Sequence, residues 1–126
     1  MGNNFLIALC GRSGAGKSTV ADRLKDLMQW NVVESYIVDF PGIKELKQKY
    51  PGDKKIVVIY LDAPTEILIE RMRRRGDSEE KIEKRIKNDD QMFHEREADI
   101  DLLIDARKPI NEVVQEIIDY IYKCTA

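Results

Sequence analysis

The sequence predicts a three-layer α/β fold, in which a parallel β-sheet lies between helices on both of its faces. Strand-like and helix-like segments alternate along the chain, an order typical of parallel strands joined by helical connections. The segment Ile56–Leu61 is apolar throughout and rich in β-branched residues, as expected of a central strand buried on both faces. The apolar segment Phe5–Cys10 leads through a glycine-rich loop into residues with helical spacing. Together these observations place a strand, a loop and a helix at the start of the fold.

Length and composition indicate one globular domain. The 126 residues are enough for a single core, and we expect residues 1–126 to form it together. Apolar residues make up 43% and charged residues 35%, which favours a folded protein with a charged surface over a disordered one. The net charge of −2 argues against a general nucleic-acid binder, because binding to a phosphate backbone usually needs a basic surface.

No targeting signal is visible in the sequence. The apolar segment near the N-terminus is too short to span a membrane, and it lacks the basic flank and the cleavage site of a signal peptide. We therefore expect a cytoplasmic protein with neither a membrane nor a nucleic acid as partner. Cys10 and Cys124 are too few for a disulfide framework or a metal site, and Cys10 is interpreted as a small buried core residue.

The glycine-rich loop fits the phosphate-binding P-loop pattern G-x-x-x-x-G-K-[ST] at every fixed position. Its residues are Gly11, Arg12, Ser13, Gly14, Ala15, Gly16, Lys17, Ser18 and Thr19. A strand precedes the loop and a helix follows it, which is the context that this motif requires. The simpler interpretation, a glycine-rich turn that merely joins a strand to a helix, is disfavoured by that agreement. The sequence therefore predicts a P-loop NTPase core.

Each residue type of the loop has a physical role in holding a polyphosphate. The loop must direct successive main-chain N–H groups inward, which requires glycine conformations at Gly11, Gly14 and Gly16. The helix that follows presents unpaired N–H groups and the positive end of its dipole to the anion. Lys17 is placed to reach the β- and γ-phosphates, and the Ser18 hydroxyl is placed to ligate Mg²⁺.

The remaining elements follow from apolar spacing and turn residues. A helix is expected from Lys17 to about Gln29, and another from Ile43 to Tyr50 after Pro41-Gly42. We expect Thr65 to cap a helix that ends at Gly76, and Asp77 with Glu80 to form the capping box of the next. A short strand at 102–104 and a last helix capped by Asn111 complete the fold.

One junction does not fit a parallel sheet. The β-prone residues 31–36 run without a turn into the strand-like segment that begins at Ile37. Two parallel strands need a connection of about a dozen residues, and none fits between Tyr36 and Ile37.

Two acidic residues follow predicted strands. Asp39 could face Mg²⁺ or its bound waters, because binding sites of open α/β sheets form beyond the carboxyl ends of the strands. Alternatively, Asp39 forms the turn before Pro41-Gly42. For Asp62, which Ala63-Pro64 follows, the turn is the favoured interpretation.

The arginines between 71 and 85 also allow two interpretations. Taken alone, Arg71, Arg73, Arg74, Arg75 and Arg85 lie among carboxylates and indicate a solvated face with salt bridges. Beside a P-loop, the same arginines favour a lid that brings guanidinium groups onto a transferring phosphoryl group.

Several segments resemble the guanylate kinases, in the same order along the chain. They are the P-loop at 11–19, Val-Glu-Ser-Tyr at 33–36, Val-Asp-Phe-Pro-Gly at 38–42, and the arginine-rich and acidic stretch at 69–86. The resemblance implies a nucleoside monophosphate kinase with ATP and Mg²⁺ as cofactors and a lid at about 66–97. It further implies that Lys17 contacts the triphosphate, that Arg71, Arg75 and Arg85 are lid arginines, and that Ser18 and Asp39 lie at the metal.

The sequence departs from the family pattern in two places. In guanylate kinases a separate subdomain that binds the nucleoside monophosphate follows the Ser-Tyr pair, and here it is absent between Tyr36 and Ile37. An asparagine that commonly holds the adenine after the last strand is replaced by the sequence Leu103-Ile104-Asp105-Ala106.

The expected function is transfer of the γ-phosphoryl group of ATP-Mg²⁺ to a nucleoside monophosphate, GMP by resemblance, with weak transfer if the acceptor pocket is incomplete. The alternative is a non-catalytic nucleotide-binding or protein-interaction module with the same core.

Overall fold

The computed structural model describes residues 5–27, 34–49, 55–92 and 100–125. Four strands and five helices alternate within this part of the chain: β1 (Phe5–Cys10), α1 (Lys17–Leu27), β2 (Glu34–Ile37), α2 (Phe40–Lys49), β3 (Lys55–Asp62), α3 (Thr65–Arg74), α4 (Glu79–Met92), β4 (Leu102–Asp105) and α5 (Ile110–Thr125). The predicted helix ends at Gln29 and Tyr50, and residues 93–97 of the expected lid, lie outside the described residues.

The four strands form one parallel sheet in the order β2-β1-β3-β4. Strand β1 is central and pairs over its full length with β3, from Phe5 opposite Lys55 to Cys10 opposite Tyr60. Because all strands run in one direction, their carboxyl ends lie at the same edge of the sheet. The P-loop leaves β1 at that edge, between the ends of β2 and β3.

Both faces of the sheet are covered, which explains why β1 and the segment Ile56–Leu61 of β3 are apolar throughout. On one face, Ile7 and Leu9 pack into a core that includes Leu24 of α1, Met72 of α3 and Ile117 of α5. On the other face, a second core is formed by strand residues and by α2, and it contains Leu6, Ala8, Val58, Ile43 and Leu46. The predicted α/β architecture, a parallel sheet with helices on both faces, is confirmed.

The junction at Tyr36 and Ile37 lies inside a strand. The structure joins Glu34–Ile37 into the single strand β2, so no connection is needed where the sequence pattern had indicated two strands. The next helix begins at Phe40, earlier than the predicted Ile43. Its first turn is capped by Asp39, whose Oδ1 accepts a hydrogen bond from the Gly42 N–H at 2.8 Å. Pro41 is tolerated there because the first turn of a helix needs no N–H donor.

The turn between α3 and α4 ends the first helix as predicted but starts the second in another way. Gly76 has a φ of +95°, its N–H donates to Arg73 O, and the Asp77 N–H donates to Met72 O, which is the Schellman arrangement. The expected capping box at Asp77 is wrong. Instead, the Ser78 hydroxyl accepts a hydrogen bond from the Lys81 N–H at 3.2 Å, and the Asp77 carboxylate binds arginines.

Two other caps were predicted too late in the chain, by one residue for Thr65 and by two for Asn111. The N-cap of α3 is Pro64, and Thr65 is the first residue of that helix. Helix α5 starts at Ile110, with Pro109 O accepting from the N–H groups of Glu112 and Val113, so Asn111 is already inside the helix. In the part of the chain that is described, no helix has the length and apolarity to cross a membrane.

Candidate phosphate-binding site

The P-loop adopts a conformation that only glycine allows at several positions. Gly14 and Gly16 have φ angles of +89° and +92°, in the left-handed region that side chains disfavour. The loop also packs closely on its surroundings: a Cβ at Gly11 would lie 2.7 Å from Leu61 O, and one at Gly14 would lie 2.8 Å from Leu68 O. The glycines therefore set both the shape of the loop and its close contact with β3 and α3.

The loop and two of the arginines that are expected to belong to a lid border a cleft of about 240 Å³. It is lined by Ser13, Gly14, Ala15, Gly16, Lys17, Ser18, Thr19, Arg75 and Arg85. Seven of these residues belong to the predicted phosphate-binding loop, and the other two come from the lid. The N-terminus of α1 and three cationic residues thus line one small volume, which suits a compact, highly charged anion.

The side chain of Lys17 is held within the loop. Its Nζ donates hydrogen bonds to the main-chain oxygens of Gly11 and, at 3.3 Å, of Arg12. Burial lowers the pKa of Lys17, while the negative charge of Asp89 acts in the opposite direction. An anion bound in the cleft would add a further negative charge beside this ammonium and would favour its charged form.

Two lid arginines meet on one carboxylate. Asp77 Oδ2 accepts from Arg75 Nε at 2.8 Å and from Arg85 Nη1 at 3.1 Å. The Asp77 side chain is only 11% exposed, and the hydrogen bond from Arg75 holds its pKa below the ordinary value. The Schellman turn at Gly76 places Asp77 at this position, so the end of α3 determines where both guanidinium groups lie.

The other arginines of the stretch face outward. Arg73 pairs with Glu79 at 2.6 Å and Arg74 pairs with Glu70 at 2.7 Å, and all four side chains are more than half exposed. The two interpretations of the arginine-rich stretch therefore apply to different members of it: part is a solvated ionic surface, and part lines the cleft.

Arg71 lies on a second cleft of about 440 Å³ that adjoins the first. Its guanidinium donates to Gly14 O at 3.3 Å and to Ala106 O at 2.5 Å, and thereby joins the P-loop to the segment after β4. The lining residues that sequence reasoning missed are Arg107, Lys108, Pro109 and Ile110. Their position directly after the last strand, at the carboxyl edge of the sheet, is the signal that could have identified them.

The two expected metal residues lie at the same edge of the sheet. Ser18 is exposed at the start of α1 and lines the smaller cleft, while Asp39 follows β2, the neighbour of β1. Asp39 caps α2 through Oδ1, and this differs from the predicted turn because the helix already begins at Phe40. The charges of Lys17 and Asp39 both act on Cys10, which places the two groups near the end of β1, and burial raises the Cys10 pKa to about 12.

Arg12 points away from the phosphate-binding cleft. Its guanidinium donates to Thr65 Oγ1 at 2.8 Å and to Ala63 O at 2.9 Å, and it lines a separate cavity of about 610 Å³ beyond β3 and β4. The main chain of Arg12 remains part of the loop, since Arg12 O accepts from the Ala15 N–H. Its side chain fastens the loop to the start of α3.

Comparison with known proteins identifies the fold. No protein-family model and no curated protein sequence matches the chain. Solved structures that resemble it include a gluconokinase from Sinorhizobium meliloti, with a TM-score of 0.65, 14% identity and 100% of both chains covered. A deoxyadenosine kinase from M. mycoides, with dCMP and dCDP bound, has a TM-score of 0.56 and 18% identity over 94% of this chain and 99% of that one. The YorR protein from Bacillus subtilis, in complex with phosphorylated GDP, has a TM-score of 0.64 and 18% identity. The match covers 93% of this chain and 95% of that one.

These likenesses show a P-loop kinase-like fold. The neighbours act on different substrates by their names, and the identities are too low to favour guanylate kinases over other kinases of this fold.

Proposed function

We propose that this P-loop kinase-like core is a nucleotide kinase that transfers the γ-phosphoryl group of ATP to a nucleoside monophosphate. The observation that supports this proposal most strongly is the cleft in which the P-loop meets Arg75 and Arg85. A loop that only held a phosphate would not need cationic side chains from a second element. Phosphoryl transfer does need them, because charge spreads over the equatorial oxygens of the transferring group.

The two adjoining clefts match the two parts of a nucleoside triphosphate. The smaller one, with Lys17 and main-chain donors, would hold the phosphates. The larger one shares Gly14, Gly16, Thr19 and Arg75 with it and adds the planar guanidinium of Arg71 and the loop 107–110. It would hold the nucleoside, with Arg71 beside the base, since guanidinium groups stack on aromatic rings.

The residues of the chain would act by binding and orientation, without a covalent intermediate. Lys17 and the loop N–H groups would fix the phosphate chain, and Arg75 and Arg85 would stabilise charge on the transferring group. Ser18 and Asp39 are the residues that would hold Mg²⁺, for which a hydroxyl, a carboxylate and phosphate oxygens are suitable ligands. When bound, the ion neutralises charge on the β- and γ-phosphates.

The acceptor is proposed to be GMP or a related nucleoside monophosphate. The support is the resemblance to guanylate kinases together with the phosphorylated GDP and the dCMP that two structural neighbours bind. We propose a single kinase core with its lid at about 66–97 and without the acceptor-binding segment at Tyr36 and Ile37. On this basis transfer to GMP should be slow.

The second candidate is a nucleotide-binding or protein-interaction module without catalysis. The continuous strand β2 favours it, because the chain there has no room for a separate acceptor-binding unit. The lid arginines on the phosphate-binding cleft speak against it.

A coupled assay of ADP release separates these candidates. The protein is supplied with ATP and Mg²⁺ together with GMP, dGMP, AMP, CMP or gluconate, each in turn. Release that depends on one monophosphate supports the proposed kinase and identifies its acceptor. Release with gluconate alone would indicate a sugar kinase, and ATP binding without release would indicate the module.

A further inference from the structure

Asp89 of α4 contacts the P-loop directly. Its Oδ2 accepts a hydrogen bond from the main-chain N–H of Ser13 at 2.5 Å. Its charge also acts on the Lys17 ammonium, so the carboxylate lies near both kinds of donor that a phosphate would use. Unlike Glu83 of the same helix, which is exposed and lies beside Lys87, Asp89 therefore places a negative charge against the loop.

We propose that Asp89 competes with the phosphates of the nucleotide for the P-loop, so that binding of the donor displaces this end of α4. The proposal rests on the proposed function only in that the loop binds a polyphosphate. The N–H of Ser13 has a single proton, and it cannot make a strong hydrogen bond to Asp89 and to a phosphate oxygen at once. Charge adds to this competition, since a carboxylate that is hydrogen-bonded to the loop repels a polyphosphate bound by the same loop.

The competition sets the apparent affinity of the site. We consider a ligand that binds only when Asp89 has left the loop. Its apparent dissociation constant equals the intrinsic one divided by the fraction of molecules in which the loop is accessible. A charged hydrogen bond of this kind reduces that fraction to about one tenth. Asp89 thus couples the lid to the loop: phosphates that enter release α4 from Ser13, and their departure allows the contact to re-form.

Calorimetric titration with tripolyphosphate and with ATP tests the proposal. Asp89→Asn keeps the size of the side chain and removes its charge, and Asp89→Ala removes the acceptor while keeping a good helix former. Asp89→Ala should bind either ligand about tenfold more tightly than the unaltered chain. Asp89→Asn should also bind more tightly but by a smaller factor, because its amide oxygen can still accept from the Ser13 N–H. Glu83→Gln is the matched control, because it removes one negative charge from the same helix at a side chain that is 74% exposed, and its affinity should not change.

Unchanged or weaker binding in the Asp89 variants overturns the proposal. Tighter binding in Glu83→Gln as well as in both Asp89 variants also overturns it, since net charge would then be the cause. Thermal unfolding without ligand confirms that each variant is folded, and if Asp89→Asn does not fold, the alanine variant decides. If the loop does not bind a polyphosphate at all, the result is different, because neither the unaltered chain nor Asp89→Ala would then bind tripolyphosphate or ATP.

Discussion

Gly14 of the P-loop lies directly against the main-chain carbonyl of Leu68 in α3, so close that a Cβ at Gly14 would be 2.8 Å from that oxygen. At this point the loop and α3 pack main chain against main chain. The same helix carries Arg71 on its cleft side and leads into Arg75 and Asp77. The position of the lid arginines relative to the phosphate-binding loop therefore depends on this contact.

Gly14→Ala should destabilise the fold by about 2 to 4 kcal/mol. The alanine would be forced into a left-handed backbone conformation, and its Cβ would overlap with Leu68 O. Gly76→Ala is the matched control. Gly76 also has a positive φ, +95°, but a Cβ there meets nothing within 4 Å, so the cost should be about 1 kcal/mol. Urea unfolding of both variants measures the difference, and equal losses would show that the close approach at Gly14 has no energetic effect.

Asp77→Asn should lower turnover about tenfold and leave the affinity for ATP nearly unchanged. The reason is that the Asp77 carboxylate holds Arg75 and Arg85 together, while the P-loop binds the phosphates without it. The control is Glu79→Gln, which breaks an exposed pair with Arg73 on the outer side of the lid and should leave turnover unchanged. Titration calorimetry and the ADP-release assay separate the two effects. An equal loss in both variants would contradict a positioning role for Asp77.

Arg71→Ala should weaken the binding of ATP more than that of tripolyphosphate. Arg71 lines the larger cleft, which is proposed to hold the nucleoside, and tripolyphosphate has no group that would reach it. Arg74→Ala on the same helix is the control, since that side chain is 77% exposed and pairs with Glu70. Parallel titrations with both ligands provide the comparison, and an equal effect of Arg71→Ala on the two would place this arginine at the phosphates.

Asp105 makes stability depend on pH in the acid range. Two hydrogen bonds from Arg107 hold the pKa of Asp105 at about 2, against an ordinary 3.8. The larger effect comes from the Arg107 side chain and the smaller one from its backbone N–H. Because the folded-state pKa is the lower one, the contribution is complete above 3.8 and is lost as the pH falls towards 2. The unfolding free energies of the unaltered chain and of Asp105→Asn should thus converge over that interval. Urea unfolding of both proteins across this pH range measures the two free energies. A difference between them that does not change with pH would contradict the prediction.

The sequence predicts the fold well because its strongest patterns have one physical cause each. A continuous apolar run rich in β-branched residues, such as Ile56–Leu61, is typical of a strand buried on both faces, and the glycines of the P-loop specify a backbone path. The errors lie where two local signals compete. Asp39 followed by Pro41-Gly42 resembles a turn, yet its carboxylate caps a helix that starts at Phe40.

The sequence predicts which residues belong to the candidate site, but it does not predict how their side chains are arranged. Spacing cannot show that Asp77 binds two guanidinium groups instead of capping α4. That choice depends on where the fold places Arg85, which lies further along α4 itself. Nor could spacing show that Asp89 reaches Ser13, which is 76 positions away along the chain. Such contacts depend on the packing of α4 against the loop.

Lys17→Ala in the ADP-release assay tests the central claim, that the P-loop holds the donor of a phosphoryl transfer. The variant should lose turnover about 100-fold or more, because the charge that fixes the β- and γ-phosphates is removed. Lys25 is an exposed lysine in the last turn of α1. The control Lys25→Ala also removes one positive charge from this helix and should retain full turnover. Turnover with a nucleoside monophosphate that is lost only in Lys17→Ala is the result we predict. Turnover that survives Lys17→Ala would contradict the account.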